Sequence, residues 1–226
     1  MKKYPKNNFV YLLCGLLFLF VLIPSLRMLS KDMGEVNPLR ASLLVAAFSL
    51  FTLISVWSLY GEQLIFRVGL GLVGLNIAIS IIELFSPSLF VELCALMSII
   101  LFSVLSCFIA GRHVFSWRET DANSLTGAVC VYLLLGLIWA LVYEMQSFLW
   151  PTELFHGLSS QGRNFHLDDF LYFSFVTLTT VGYGDITPVN PMIRTLAYLE
   201  MLTGQFYMAI LVSGLVAHFM GQRIPR

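Results

Sequence analysis

The chain has 226 residues, of which 58% are hydrophobic and only 12% are charged. A soluble globular domain carries about 25% charged residues, so this composition excludes an ordinary soluble protein and indicates one embedded in a lipid bilayer. The formal net charge is zero, which gives no support to nucleic acid or an acidic macromolecule as a partner.

Six segments are apolar enough to cross the hydrocarbon core, which takes about 20 residues in a helix. The first could be a signal peptide, because lysines precede its apolar run, but it has no small-residue cleavage site and we expect it to be retained. The sequence therefore predicts an all-α membrane protein with six transmembrane helices. These cover residues 9–26, 39–60, 64–86, 88–111, 125–150 and 192–220.

The first four helices form a predicted N-terminal region, residues 1–120. A voltage sensor needs a basic residue at about every third position, because one charge crossing the field contributes only about 2.3 kcal/mol per 100 mV. Between Glu92 and Arg112 the fourth helix has none, so steep voltage gating is not expected. A structural collar, a bilayer sensor and a site for a partner subunit remain open. On the third helix, Gly69, Gly71 and Gly74 predict close helix packing.

Residues 169–179 are apolar but have only half the length of a span. Such a segment enters the membrane and returns, which is allowed where protein buries it or water lines it. Asp168 and Asp169 suit the start of this pore helix, and Asn190 followed by Pro191 predicts the start of the last helix. Residues 121–226 thus form a predicted unit of outer helix, pore helix, loop and inner helix.

The loop after the pore helix, residues 179–185, reads Thr-Thr-Val-Gly-Tyr-Gly-Asp. Two glycines alternating with larger residues allow backbone conformations closed to other residues, so successive carbonyls can point the same way. Four such strands around an axis make rings of oxygen that replace the water shell of K⁺. This run of residues resembles the signature of a potassium-channel selectivity filter.

Residues 125–220 resemble the pore of tetrameric potassium channels of the two-transmembrane type. Residues 170–188 carry the specific match, and residues 199–207 are similar to small bacterial members. The resemblance implies a homotetramer that conducts K⁺ passively across the bilayer, with four additional N-terminal helices in this chain. It also implies that K⁺ is coordinated by Thr180, Val181, Gly182 and Tyr183.

The resemblance assigns filter support to Thr179, Gly184, Asp185, Tyr172 and Phe173. In much of the family, tryptophans occupy the positions of Tyr172 and Phe173. Tyr172 can still donate a hydrogen bond to Asp185, but Phe173 has no donor for the Tyr183 hydroxyl. This departure leaves a less selective cation channel as an alternative.

On the last helix, Gly204 occupies the position of the family's gating hinge. A glycine inside a helix costs about 1 kcal/mol relative to alanine, so it needs a reason. The alternatives are a hinge or close packing against a neighbouring helix. Residues spaced three or four apart share a helix face and are expected to line the cavity, with lipid or helix contacts as the alternative. These are Gln205, Met208, Val212 and Val216.

Glu144 and Glu200 are ionisable residues at membrane depth. We expect each to tie a long helix to the pore helix or to the support of the filter, with gating by protons or divalent ions as the alternative. His156 and His166 are expected to be solvated in the outer loop.

The four cysteines fall in apolar runs and are predicted to be buried thiols rather than disulfides. No spacing suggests a metal site, and no nucleophile–base pair or phosphate loop is present. We therefore expect neither an enzyme nor a cofactor, with K⁺ only as the permeant ion.

A filter facing outward requires the 112–124 linker and both termini to be cytoplasmic. The distribution of basic residues agrees modestly with this orientation, but Arg27, Lys31 and Arg40 fall outside against the rule. The compact loops favour a bacterial inner membrane, a plasma membrane. A non-conducting membrane subunit that modulates a partner channel remains an alternative. A secondary transporter would usually have matching broken helices in two halves, and this sequence shows only one re-entrant segment.

Overall fold

The computed structural model describes residues 9–31, 47–55, 63–85, 88–114, 122–150, 154–157 and 167–222. This part of the chain is almost entirely helical, with one short pair of strands. The helices are α1 (Phe9–Lys31), α2 (described over 47–55), α3 (Gln63–Phe85), α4 (Leu89–Val114), α5 (Ala122–Leu149), α6 (Leu167–Leu178) and α7 (Pro191–Gln222). The strands are β1 (Phe155–His156) and β2 (Thr187–Pro188).

Four of the described helices are long and apolar enough to cross a membrane. The predicted all-α membrane architecture is therefore confirmed, whereas the predicted number of six spans is not. The third predicted span contains a shorter apolar helix, and most of the second lies outside the described residues. The four spans are Phe9–Met28, Leu89–Arg112, Asn123–Leu149 and Pro191–Gly214.

Helix α5 lies at the centre of the arrangement, because it packs against α1, α4, α6 and α7. Its core side chains are fully buried, among them Leu134, Leu137 and Leu141. Helix α3 packs on α4, and between them the Asn76 amide donates to Ser98 Oγ at 2.9 Å. The short helix α6 is thus held between the long helices α5 and α7.

The connection from α6 to α7 is fixed at both ends. Asn190 caps α7 as predicted, since its side-chain oxygen accepts a hydrogen bond from the Met192 amide at 2.8 Å and Pro191 is the first helical residue. Before α7, β2 pairs with β1 in antiparallel register, Phe155 opposite Pro188 and His156 opposite Thr187. The segment before α6 therefore lies beside the segment that follows the filter motif.

Two sequence predictions about packing were only partly right. Gly69 is buried on α3, which packs on α4, but a side chain at Gly71 or Gly74 would meet nothing within 4 Å, so within one chain these two glycines do not mark a close helix contact. The four cysteines are free thiols as predicted, but Cys130 alone is buried, while Cys14 is exposed. The apolar context of a cysteine did not predict its burial, because a membrane helix is apolar on its lipid-facing side too.

Candidate functional site

The filter motif has an unusual backbone. Thr180, Gly182 and Gly184 have positive φ angles of 59°, 56° and 81°, whereas the intervening Val181 and Tyr183 do not. Glycine enters this left-handed region freely, but for a β-branched threonine it is an outlier that costs on the order of 1–3 kcal/mol. The alternation of left-handed and ordinary residues is what allows successive carbonyls to point to one side.

The extended backbone of residues 180–184, called the filter strand below, is held on one side by α6. The amide of Thr180 donates to the carbonyl of Thr177 at 2.9 Å. The carbonyl of Val176 accepts from the amides of Val181 at 2.9 Å and Gly182 at 3.3 Å. On the other side the strand is open, since residues 179–185 are all exposed in the single chain. Val181 is 52% exposed and Tyr183 70% exposed.

The outer end of the motif is tied to α6 by a charged hydrogen bond. The Tyr172 hydroxyl donates to Asp185 Oδ2 at 2.6 Å, the contact that the sequence predicted, and the two tyrosine rings of Tyr172 and Tyr183 stack with centroids 6.4 Å apart. Because the Tyr172 hydrogen bond stabilises the carboxylate, the pKa of Asp185 is lowered. The same bond raises the pKa of Tyr172 to about 12.

Phe173 packs among aromatic rings, whereas the family resemblance implies a hydrogen-bond donor at this position. Its ring is buried and packs edge-on against Tyr143 at 5.1 Å and against Phe155 at 5.0 Å. Such aromatic pairs contribute about 0.5–1.5 kcal/mol beyond their buried area. Phe173 therefore fixes α6 against α5 and β1 by packing, and it gives the Tyr183 hydroxyl no hydrogen bond.

Glu200 joins the three helices of the pore half at one point. Its carboxylate is fully buried and accepts from the Tyr143 hydroxyl of α5 at 2.7 Å. Ser174 Oγ of α6 lies 2.5 Å from the other carboxylate oxygen and 2.8 Å from the Gly136 carbonyl. The predicted link from Glu200 to the pore helix is thus confirmed. For Glu144 the structure shows no such link at Oε2, which is buried without a partner.

Helix α7 runs unbroken through Gly204. A Cβ at this position would collide with the carbonyl oxygen of Leu178, the last residue of α6. Close packing, the second of the two sequence alternatives, therefore accounts for the glycine, and the gating hinge stays a prediction. Three residues later, the Tyr207 hydroxyl donates to the Ala128 carbonyl of α5 at 2.6 Å.

The predicted cavity face begins directly beneath the filter motif. Gln205 Nε2 lies 3.4 Å from the Thr180 hydroxyl oxygen, and Met208 and Val212 are exposed on the single chain. The side chain of Val216 and all of His166 lie outside the part of the chain that the structure describes. His156 is exposed in β1, as expected for a solvated residue.

Sequence reasoning missed one residue at this site. Arg27, at the end of α1, forms ion pairs with Asp168 at 2.6 Å and Asp169 at 2.8 Å in the first turn of α6. Both aspartates lie in the first turn of α6, as predicted for acidic residues at the start of a helix, and they also bind a cation. The signal was present in the sequence, since Arg27 was among the residues that violated the charge rule for membrane loops.

The pore half of the chain is similar to a known protein family. Residues 127–220 match the family model described as "Ion channel", a range that covers α5, α6, the filter motif and nearly all of α7. The match does not extend to the N-terminal helices. Together with the four apolar helices, it supports a multi-pass membrane protein.

Parts of the chain are also similar to individual proteins that are named as potassium channels. The "Two pore potassium channel c" of Oryza sativa subsp. japonica is 43% identical over 60 residues, 26% of this chain and 13% of the relative. The "Two-pore potassium channel 4" of Arabidopsis thaliana is 31% identical over 101 residues, 45% of this chain and 35% of the relative. The "Inward rectifier potassium channel Kirbac3.1" of Paramagnetospirillum magnetotacticum is 39% identical over 51 residues, 23% of this chain and 17% of the relative.

In each case the aligned segment spans about a third or less of the relative's own length. No solved structure is significantly similar to the chain. The relatives named here are all described as potassium channels.

Proposed function

We propose that the protein is a potassium-selective channel that conducts K⁺ passively as a homotetramer. The observation that carries this proposal is the backbone of the filter strand, in which left-handed residues alternate with ordinary ones from Thr180 to Gly184. Rings of carbonyl oxygens that replace the hydration shell of K⁺ need such a strand. We assign K⁺ coordination to Thr180, Val181, Gly182 and Tyr183.

The assembly follows from the same strand. One chain supplies one strand, and a closed ring around an ion needs several copies arranged by rotational symmetry. The strand is anchored to α6 on one side and exposed on the other, which is the arrangement expected for a strand that faces a central axis. Gln205 and Met208 then line the cavity below it, with Val212 and Val216 further along α7.

The remaining parts of the proposal concern the membrane. Residues 121–226 form the pore domain, with α6 and the filter strand entering from the outside and returning. Six transmembrane helices, cytoplasmic termini and a bacterial inner membrane remain part of this proposal. Because α4 has no basic residue between Glu92 and Arg112, residues 1–120 do not form a voltage sensor of the usual kind.

One observation favours a second candidate, a less selective cation channel. Phe173 gives the Tyr183 hydroxyl no donor, so one lateral restraint expected by resemblance is missing. Against this stands the Tyr172–Asp185 bond, which holds the outer end of the strand. The coordinating carbonyls belong to the backbone and do not depend on the residue at 173, so we favour the selective channel.

The test is ion flux through purified full-length protein in liposomes. We expect flux of K⁺ but not of Na⁺, and loss of the K⁺ flux in Gly182→Asp, since aspartate adds a side chain and a negative charge at the ion path where glycine has neither. Flux of both ions by the parent would select the less selective channel. An inactive parent that native mass spectrometry shows to be tetrameric would favour the modulatory subunit, and monomers or dimers alone would refute the assembly.

A further inference from the structure

Near its C-terminal end, the first helix contacts the start of α6 through the cation of Arg27. Arg27 Nη1 lies 2.6 Å from Asp168 Oδ2 and 2.8 Å from Asp169 Oδ1. The two aspartate side chains are only 15% and 24% exposed, and Asp168 Oδ1 is buried without a partner. Two neighbouring carboxylates that are largely shielded from water repel each other unless a cation lies between them. The start of α6 is therefore most stable where both aspartates can reach Arg27.

Helix α1 is itself fixed along its length. At its start, the Phe9 amide donates to Asn123 Oδ1 at 3.1 Å, and the Phe9 carbonyl accepts from the Cys130 thiol at 3.6 Å. Midway, the rings of Phe20 and Phe175 pack edge to face at 5.3 Å. The helix therefore runs as a strut from the beginning of α5 to the beginning of α6.

Helix α6 carries this constraint to the filter strand. It has twelve residues, about 18 Å at 1.5 Å per residue, and a helix of this length moves as a rigid body. At its far end the Val176 carbonyl accepts from the amides of Val181 and Gly182. A tilt of α6 about its start consequently displaces the two residues that the proposed function places in the centre of the filter.

We propose that Arg27, in a helix outside the matched pore region, is a positioning residue for the selectivity filter. It acts through Asp168 and Asp169, which set the tilt of α6, and through Val176, which sets the position of Val181 and Gly182. The inference rests on the channel function proposed above. It gives the first helix a role in conduction, and it explains why a basic residue lies at the outer end of α1 against the usual charge bias.

The experiment uses full-length protein with Arg27→Gln, Arg27→Lys and the control Arg67→Gln. Arg67 is an exposed arginine on α3, which packs on α4 and not on α6. Two quantities are measured: hydrogen exchange of the filter peptide that contains the Val181 and Gly182 amides, and the ratio of K⁺ to Na⁺ flux. Thermal unfolding reports overall stability separately.

We expect Arg27→Gln to speed exchange at the filter amides and to lower the flux ratio, each by about fivefold or more, the low end of coupling between distant sites. Arg67→Gln should change neither. Arg27→Lys should restore both, because one nitrogen atom makes both ion pairs and a single ammonium group can replace it. A lysine that restores only thermal stability, and neither of these readouts, would reduce Arg27 to a structural role.

A second background keeps the inference testable if Arg27→Gln folds poorly. With Asp168→Asn and Asp169→Asn the cation has no charge to neutralise, so adding Arg27→Gln should change exchange at the filter amides by less than twofold. Unchanged exchange in folded Arg27→Gln, or an equal effect of Arg27→Gln in both backgrounds, would overturn the positioning role. A parent that does not conduct would refute the channel, while the exchange comparison would still decide the positioning.

Discussion

Replacing Glu200 tests whether the buried junction of α5, α6 and α7 stabilises the pore half. In Glu200→Ala the hydroxyls of Tyr143 and Ser174 both lose the carboxylate. An unsatisfied buried polar group costs about 1–3 kcal/mol, which gives roughly 2–6 kcal/mol for the two hydroxyls if nothing replaces the carboxylate. Ser174 keeps a contact with the Gly136 carbonyl at 2.8 Å, so the lower half of that interval is the better expectation.

Glu200→Gln is the matched control. Its amide oxygen can accept from the Tyr143 hydroxyl, and its NH₂ group can donate to Ser174 Oγ, while the Ser174 hydroxyl donates to the Gly136 carbonyl. All partners remain satisfied and the volume is unchanged, so we expect a cost below about 1 kcal/mol. The contrast between alanine and glutamine separates the hydrogen bonds from the charge.

The assay is thermal unfolding of the full-length protein in detergent, followed by fluorescence. A change of 1 kcal/mol shifts the midpoint by about 2–4 °C for a chain of 150–250 residues. We therefore expect a drop of at least about 4 °C for Glu200→Ala and less than about 4 °C for Glu200→Gln. Equal drops in the two variants would refute the hydrogen-bond argument, and an unchanged midpoint in the alanine variant would refute the junction itself.

The remaining predictions concern close contacts around the filter strand. The pKa of Asp185 is lowered in the folded protein, so the stabilisation from its hydrogen bond with Tyr172 is complete above the ordinary pKa of 3.8 and is lost as the pH falls through the lower folded pKa. The K⁺ selectivity should therefore be constant from pH 8 to about pH 5. Tyr172→Phe should reduce the selectivity over this whole range. A selectivity change in the parent near neutral pH would contradict this. Gly204→Ala should destabilise by about 1–3 kcal/mol through overpacking against Leu178, less about 1 kcal/mol of helix propensity; normal thermal stability with reduced flux would instead support the hinge. Gly157→Ala should lower the flux ratio of K⁺ to Na⁺, because Gly157 has a φ of +90° and a Cβ there would collide with the carbonyl oxygen of Asp185. Selectivity equal to that of the parent would contradict this reasoning.

Local chemistry made much of the pore half predictable. The cap at Asn190 and the bond from Tyr172 to Asp185 involve residues at most 13 positions apart, within one turn or across one short loop. In the filter motif, Gly182 and Gly184 likewise suit their left-handed positions by residue type, whereas Thr180 adopts such a position against its own preference. For such features the residue types and their spacing contain nearly all of the necessary information.

Contacts between distant helices were not predictable in the same way. Arg27 and Asp168 are 141 positions apart; the charge rule marked Arg27 as unusual, but nothing in the local sequence identified Asp168 as its partner. At Gly204 the sequence left a hinge and close packing open, because only the neighbouring carbonyl of Leu178 distinguishes them. Phe173 was judged by the hydrogen bond it lacks, since its aromatic neighbours come from α5 and β1 and were unknown.

The two attachments of α7 to α5 limit how the inner helix can move. Glu200 accepts from Tyr143, and about two turns further on Tyr207 donates to the Ala128 carbonyl. A rod fixed at two points cannot rotate about a pivot between them, so a bend at Gly204 would require the Tyr207 bond to break. While the Tyr207 hydrogen bond is intact, any movement of the C-terminal end of α7 relative to α5 must therefore begin beyond Tyr207.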